Sequence, residues 1–232
     1  MIAWACALTL LLGAGTGAAD EANHAPPPQS TRLTLPFDGI WGVIQGFDSG
    51  DTHTGYAAYA LDFVPAQRKG TRAPPHGAPL EQFVCYGRPI LAPADGTVVA
   101  AAGDARDWPG YHKGRDEGNF VIIQHAPGEY TEFRHLAAGS VRLNAGARVR
   151  RGEVIGRCGN SGNAKTPHLH IGFLSSAEPI VTRPMVFSGF EIAGADGAWH
   201  PGAAPLRKGD LVRPAPPESA RPASPAAAPR RP

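Results

Sequence analysis

The residues best equipped for chemistry are the run Pro167-His168-Leu169-His170-Ile171-Gly172-Phe173 and the earlier His53, Asp62 and His135. Side chains alternate between the faces of a strand, so the two imidazoles of an HxH share one face, roughly 6 to 7 Å apart, and can serve one reaction centre. Catalytic zinc generally takes three protein ligands from His, Asp, Glu or Cys and leaves a fourth position open for water. His53, Asp62 and His170 would supply such a set. His135 and His168 would then remain near the metal without ligating it, suited to proton transfer and to stabilising a developing oxyanion. The chain has no HExxH, so the glutamate base that goes with that motif is not available.

Four stretches carry a resemblance to a known family: HTGYAAYALDF (53–63), GRPILAPADGTVV (87–99), GNFVIIQHAPGEYTEFRHL (118–136) and GARVRRGEVIGRCGNSGNAKTPHLHIGF (146–173). In this order they resemble the lysostaphin-like zinc metallopeptidases, which cut the peptide bridges of bacterial peptidoglycan. The resemblance implies His53, Asp62 and His170 as metal ligands, His135 and His168 as the catalytic pair, and a mainly β fold whose antiparallel sheets form an open groove. It also implies Zn²⁺ as cofactor and peptidoglycan stem peptides or cross-bridges as substrate. A shorter spacing between the first His and the Asp is commoner in that family, whereas eight residues lie between His53 and Asp62. An odd difference in position puts two residues on opposite faces of an uninterrupted strand, so the backbone must turn between them, and Gly55 is the candidate. A Pro-, Gly- and Arg-rich insertion from Ala66 to Tyr86 reads as a loop, either lining the substrate groove or forming a plain surface excursion.

The elements that must position these residues are short strands. Residues 96–101, 119–125 and 130–135 are β-branched or aromatic runs bounded by Gly, Pro or Asp, and no long apolar run of helical period competes with them. Pro127-Gly128-Glu129 is a turn that should pair the second and third runs as an antiparallel hairpin. The 232 residues with 42% hydrophobic side chains can bury one core of ordinary size. A net charge of +2 without a Lys/Arg block argues against nucleic-acid binding.

Ala3 to Leu12 is an apolar core followed by small residues up to Ala19, so residues 1–19 read as a signal peptide and the protein as exported, periplasmic or secreted. Nothing else is long or apolar enough to span a bilayer. Residues 20–30 read as a linker, 31–213 as the catalytic domain, and 214–232 as a disordered Pro/Ala-rich tail. Cys6 falls in the signal, leaving Cys85 and Cys158. In an oxidising compartment these two are expected to pair, the alternative being two buried free thiols.

Singly, each chemical residue has an ordinary explanation: an exposed loop histidine at 53, a turn acid at 62, a satisfied core histidine at 135. Together they favour an exported zinc metalloendopeptidase. The competing functions are a non-catalytic cell-wall-binding activator of other hydrolases, expected where the ligand set is broken, and a secreted protease acting on Gly-rich proteins. The remaining histidines carry less: His125 as support for the sheet or the site, His76, His112 and His200 as exposed loop residues, and His24 in the linker.

Overall fold

The strands of the computed structural model begin where β-branched and aromatic residues cluster and end at Gly, Pro or Asp turns. The structure describes residues 28–50, 52–67, 72–111, 117–202 and 205–217. The signal peptide, most of the linker, the end of the tail, His24 and His112 lie outside these residues. In chain order the strands are β1 (Trp41–Gln45), β2 (Leu61–Pro65), β3 (Pro89–Leu91), β4 (Gly96–Ala102), β5 (Asn119–Ala126), β6 (Glu129–Leu136), β7 (Arg148–Val149), β8 (Val154–Arg157), β9 (Leu169–Ala177), β10 (Ile180–Arg183), β11 (Phe190–Ala193), β12 (Trp199–Pro201) and β13 (Leu211–Pro214). Among the described residues, no helix is long and apolar enough to cross a membrane.

The fold is mainly β and its strand pairs are antiparallel. One large open sheet runs β12-β11-β13-β1-β2-β9-β6-β5-β4-β7, with β10 paired to β9, and β3 and β8 form a second small sheet. The hairpin expected around Pro127-Gly128 joins β5 to β6, with Ala126 opposite Glu129 and Gly128 in the left-handed region at φ 69°.

Period-two alternation assigns the two faces at the centre of the large sheet. Leu61 and Phe63 of β2, Leu169, Ile171 and Phe173 of β9, and Phe133 of β6 point into one apolar core with Phe37, Trp41 and Phe187. Burying each such side chain stabilises the fold by about 1.5–3 kcal/mol. The register sets Leu61 opposite Ile171, Phe63 opposite Leu169 and Phe133 opposite Ile171. The residues in between face the other way: Asp62 lies opposite His170, which in turn lies opposite Arg134, and Glu132 lies opposite Gly172. One apolar core thus fixes a row of polar side chains across three strands, because a one-residue slip would exchange the faces.

Cys85 and Cys158 form a disulfide, with Cα atoms 5.7 Å apart, and both residues are buried. It ties the end of the 66–86 insertion to the segment after β8. The insertion is otherwise loop with one 3₁₀ turn at Leu80–Gln82.

Candidate metal centre and active site

Five side chains meet in a groove of about 800 Å³ over the polar row of β2, β9 and β6, bordered also by residues from the segments around Thr52–Ala57 and Asn163–His168. Asp62 and His170 stand on adjacent strands. His168 lies two residues before His170 and so leans over the same face. His53 arrives from a loop. A 3₁₀ turn at Gly55–Ala57 separates it from β2, with Gly55 at φ 56°. This is the turn that the spacing of His53 and Asp62 demanded.

His135 reaches the groove by a different device. In regular alternation it would share the core face of Phe133. The β5–β6 register instead steps from Asn119–Leu136 to Phe120–Arg134, leaving His135 as the extra residue of a bulge, at φ 62°. A left-handed conformation is costly for a residue with a Cβ, and such residues cluster at functional sites. It turns the imidazole onto the groove side, with its ring centroid 4.8 Å from that of His168 and 5.8 Å from that of His170. The conformation is held from three directions. His135 Nδ1 lies 3.0 Å from the Ser161 carbonyl, the Gly159 N–H donates to the His135 carbonyl, and the Ser161 hydroxyl donates to the next carbonyl, Leu136. Buried Asn119 completes the net: its side-chain amide donates to Leu136 O and Ala105 O, and its own N–H donates to Ser161 Oγ.

Asp62 is the hub of the ionisable cluster. Its Oδ1 lies 2.9 Å from His170 Nδ1 and 3.2 Å from His53 Nε2, and its Oδ2 lies 3.6 Å from His168 Nε2. Burial would raise the Asp62 pKa, but the charge of His168 and the contacts with His170 and His53 outweigh it and hold the carboxyl well below its usual range. Burial likewise opposes a charge on His53, yet Asp62 prevails and its pKa stands raised. His135 goes the other way: burial, then the neighbouring His168 and His170, push it well below the usual histidine value. It is therefore neutral at neutral pH, with Nδ1–H facing the Ser161 carbonyl and Nε2 left to accept a proton.

One ligand atom from each of His53, Asp62 and His170 lies within 4.8 Å of the other two. Four-coordinate bonds of about 2.1 Å put neighbouring ligand atoms roughly 3.4 Å apart, near the 3.2 and 2.9 Å separations here. His53 Nδ1 lies 3.0 Å from the Gly46 carbonyl, while its Nε2 is buried without a hydrogen-bond partner. A metal ion would satisfy that orphaned nitrogen, so the residues fit one.

Other residues fall outside this constellation. His125 binds the Asp95 carbonyl and the Thr131 hydroxyl and supports the sheet. His76 accepts from the Tyr111 N–H, and His200 pairs with Asp196 on the surface. None of the described residues of the 66–86 insertion lines the groove, which favours the surface excursion over the groove wall; its end is tied by the disulfide to the segment after β8. Sequence reasoning also passed over Glu117, Glu132 and Arg134, which do line it. The signal was present in the alternation of TEFRH: if Phe133 is core, its neighbours 132 and 134 face the site.

Residues 80–181 match the profile of Peptidase family M23; His135, His168 and His170 fall inside that stretch, and His53 and Asp62 precede it. An uncharacterized metalloprotease of Haemophilus influenzae is 34% identical over 129 residues, 51% of this chain and 25% of that protein. The DD-carboxypeptidase/endopeptidase Mpg of Neisseria meningitidis serogroup B is 35% identical over 128 residues, 54% of this chain and 26% of that protein. This chain thus spans about a quarter of the length of these relatives. The catalytic domain of the antimicrobial peptidase lysostaphin from Staphylococcus simulans aligns at 18% identity over 66% of this chain and 86% of that domain, with a TM-score of 0.37.

Proposed function

We propose that this chain, whose residues 80–181 match Peptidase family M23, is an exported zinc metalloendopeptidase that hydrolyses peptide cross-links of bacterial peptidoglycan. The observation that carries the reading is the grouping of one ligand atom each from His53, Asp62 and His170 within 4.8 Å of one another in the groove, with His135 and His168 beside it. Two imidazoles and a carboxylate suit zinc, which, when bound, supplies Lewis acidity and lowers the pKa of water. The names of the relatives, among them the peptidoglycan DD-endopeptidase ShyA of Vibrio cholerae, support the choice of substrate. Export rests on the signal read in residues 1–19, and the disulfide suits an oxidising compartment.

The chain's own groups then have distinct tasks. Neutral His135, fixed in one tautomer by the Ser161 carbonyl, takes a proton from the attacking water at Nε2. His168, whose Nδ1 lies 2.8 Å from the Thr166 carbonyl, is held in the same tautomer sense and faces the same space. It stabilises the developing oxyanion or returns a proton to the leaving amine. Asp62 keeps its negative charge through the cycle because three histidines surround it.

The test is mass spectrometry of muropeptides from purified peptidoglycan incubated with the zinc-loaded mature protein, with His170→Ala as the control. Loss of cross-linked dimers with matching new termini supports the reading and identifies the bond. An unchanged profile across several wall types overturns it in favour of an activator of other hydrolases or a protease on Gly-rich proteins.

A further inference from the structure

One charged device in the groove is not used by the chemistry above. Arg134 stands directly opposite His170 in the β6–β9 register, which puts neighbouring backbones about 5 Å apart, and its side chain lines the same groove. Its guanidinium is fixed from within. Nε donates to Glu132 Oε1 at 2.5 Å, and Glu132 is only 2% exposed. Its outer edge is held differently: Nη1 donates to Glu117 Oε2 at 3.2 Å, and the Glu117 side chain is 79% exposed.

The two carboxylates are therefore unequal partners. The buried one pairs with Arg134 at 2.5 Å, and losing Arg134 would strip it of that partner. The exposed one is solvent-screened and held weakly. An arginine oriented by a buried acid, with its outer nitrogen already accepted by a carboxylate at the rim, is a preformed carboxylate site whose occupant exchanges at little cost. The groove adds a second cation on its lining, the exposed Lys165.

We propose that Arg134 is a specificity-determining residue that binds a substrate carboxylate next to the scissile amide, and that Glu117 occupies this place until substrate displaces it. The substrate class is then a peptide with a free carboxylate within one residue of the bond cut, either at the chain end or on the side chain of the leaving residue. The inference rests on the peptidase reading of the groove and adds to it the group that selects the substrate.

The experiment compares kcat/KM for matched peptides that differ only in carrying a carboxylate or a carboxamide at that position. Separate peptides with the carboxylate at the terminus or on the side chain distinguish the two sources. The zinc-loaded wild type should prefer a carboxylate by about tenfold or more, mainly through KM. Glu117→Gln, which removes the resident competitor, should widen the preference. Arg134→Gln exposes the fold to an unpaired buried Glu132, so Arg134→Lys, which keeps the charge but loses the fork, carries the decision: its preference should fall several-fold towards one. A wild-type preference near one, or a preference unchanged in Arg134→Lys, overturns the proposal. Should the wild type cleave neither peptide, the peptidase reading fails. Fluorescence anisotropy of the same peptides, labelled, then decides the carboxylate site, which stands if the carboxylate form binds tighter to wild type than to Arg134→Lys and falls if both forms bind alike.

Discussion

The two ends of the histidine cluster are built from the same side chain and behave in opposite ways. At one end His53 lies against the Asp62 carboxylate and its pKa is raised. At the other, His135 behaves in the opposite way: burial and the neighbouring His168 and His170 depress its pKa. At the first end Asp62 Oδ1 lies within 3.2 Å of both His53 and His170; at the second the Nδ1 atoms of His135 and His168 each meet a backbone carbonyl. A carboxylate gathers donors around a place for a cation, while a carbonyl fixes a tautomer and leaves a neutral base. The environment, rather than the residue type, divides the labour.

The largest effects should come from the carboxylate end. Asp62→Asn removes the anion on which three histidines lean, and His170→Ala removes one donor of the trio. Both are expected to lose bound metal and to reduce hydrolysis to background, checked by elemental analysis alongside turnover. The other end should give a separable result. His168→Ala and His135→Ala should keep close to one metal per chain while kcat falls about 10²–10⁴-fold, the usual worth of a positioned acid or base. Should His168→Ala also empty the site, the division between the two ends would be wrong and His168 would belong to the ligands.

A smaller effect sharpens the comparison by leaving His135 in place and loosening what holds it. Asn119→Ala deletes the amide that donates to Leu136 O and Ala105 O. Leu136 O keeps the Ser161 hydroxyl, but the Ala105 N–H and carbonyl both lose their Asn119 partner, a loss worth about 1–3 kcal/mol and a Tm lower by roughly 3–10 °C for a domain of this size. Because the bulge at His135 depends on this net, kcat should fall while metal content stays; differential scanning calorimetry with metal analysis checks both. Equal kcat in the variant would mean that His135 keeps its left-handed conformation unaided.

The candidate site was legible in the sequence to the extent that chemistry demands particular residue types. Four of the nine histidines, together with Asp62, stand out as candidate ligands and bases because HxH must share a face and because the stretches around them come in a recognisable order. The hairpin over Pro127-Gly128 was legible from local turn chemistry, and the strand boundaries followed. What stayed hidden depends on contacts between distant segments. The bulge at His135 is set by Asn119 and Ser161, sixteen residues before it and twenty-six after it, and neither residue type announces such a role. The pairing of Cys85 with Cys158 was expected from the compartment, but the 5.7 Å between their Cα atoms, which ties the insertion to the segment after β8, could be read only from the fold. Arg134 and Glu132 look like an ordinary solvated pair until the core assignment of Phe133 turns them inward.

The smallest effect is expected far from both ends of the cluster, and it serves as the control for the comparison. Glu129, at the start of β6, is buried and accepts from the backbone N–H groups of Ser30 and Thr31 and from both their hydroxyls. Arg183 Nη2 lies 3.8 Å away. Burial would raise its pKa, but the donors from Thr31 and Ser30 outweigh it and hold the carboxyl below its ordinary 4.5. The folded state therefore binds this proton less readily than the unfolded chain does. The stabilisation is full above about pH 4.5 and is lost as pH falls through the lower folded value. Glu129→Gln should lower stability at neutral pH by about 1–3 kcal/mol and flatten its decline below pH 4.5, measured by urea denaturation across that range. Metal content and kcat at neutral pH should match the wild type. If they fall with stability, losses of activity in the cluster variants would have to be corrected for general loosening of the sheet before any is assigned to metal binding or to proton transfer.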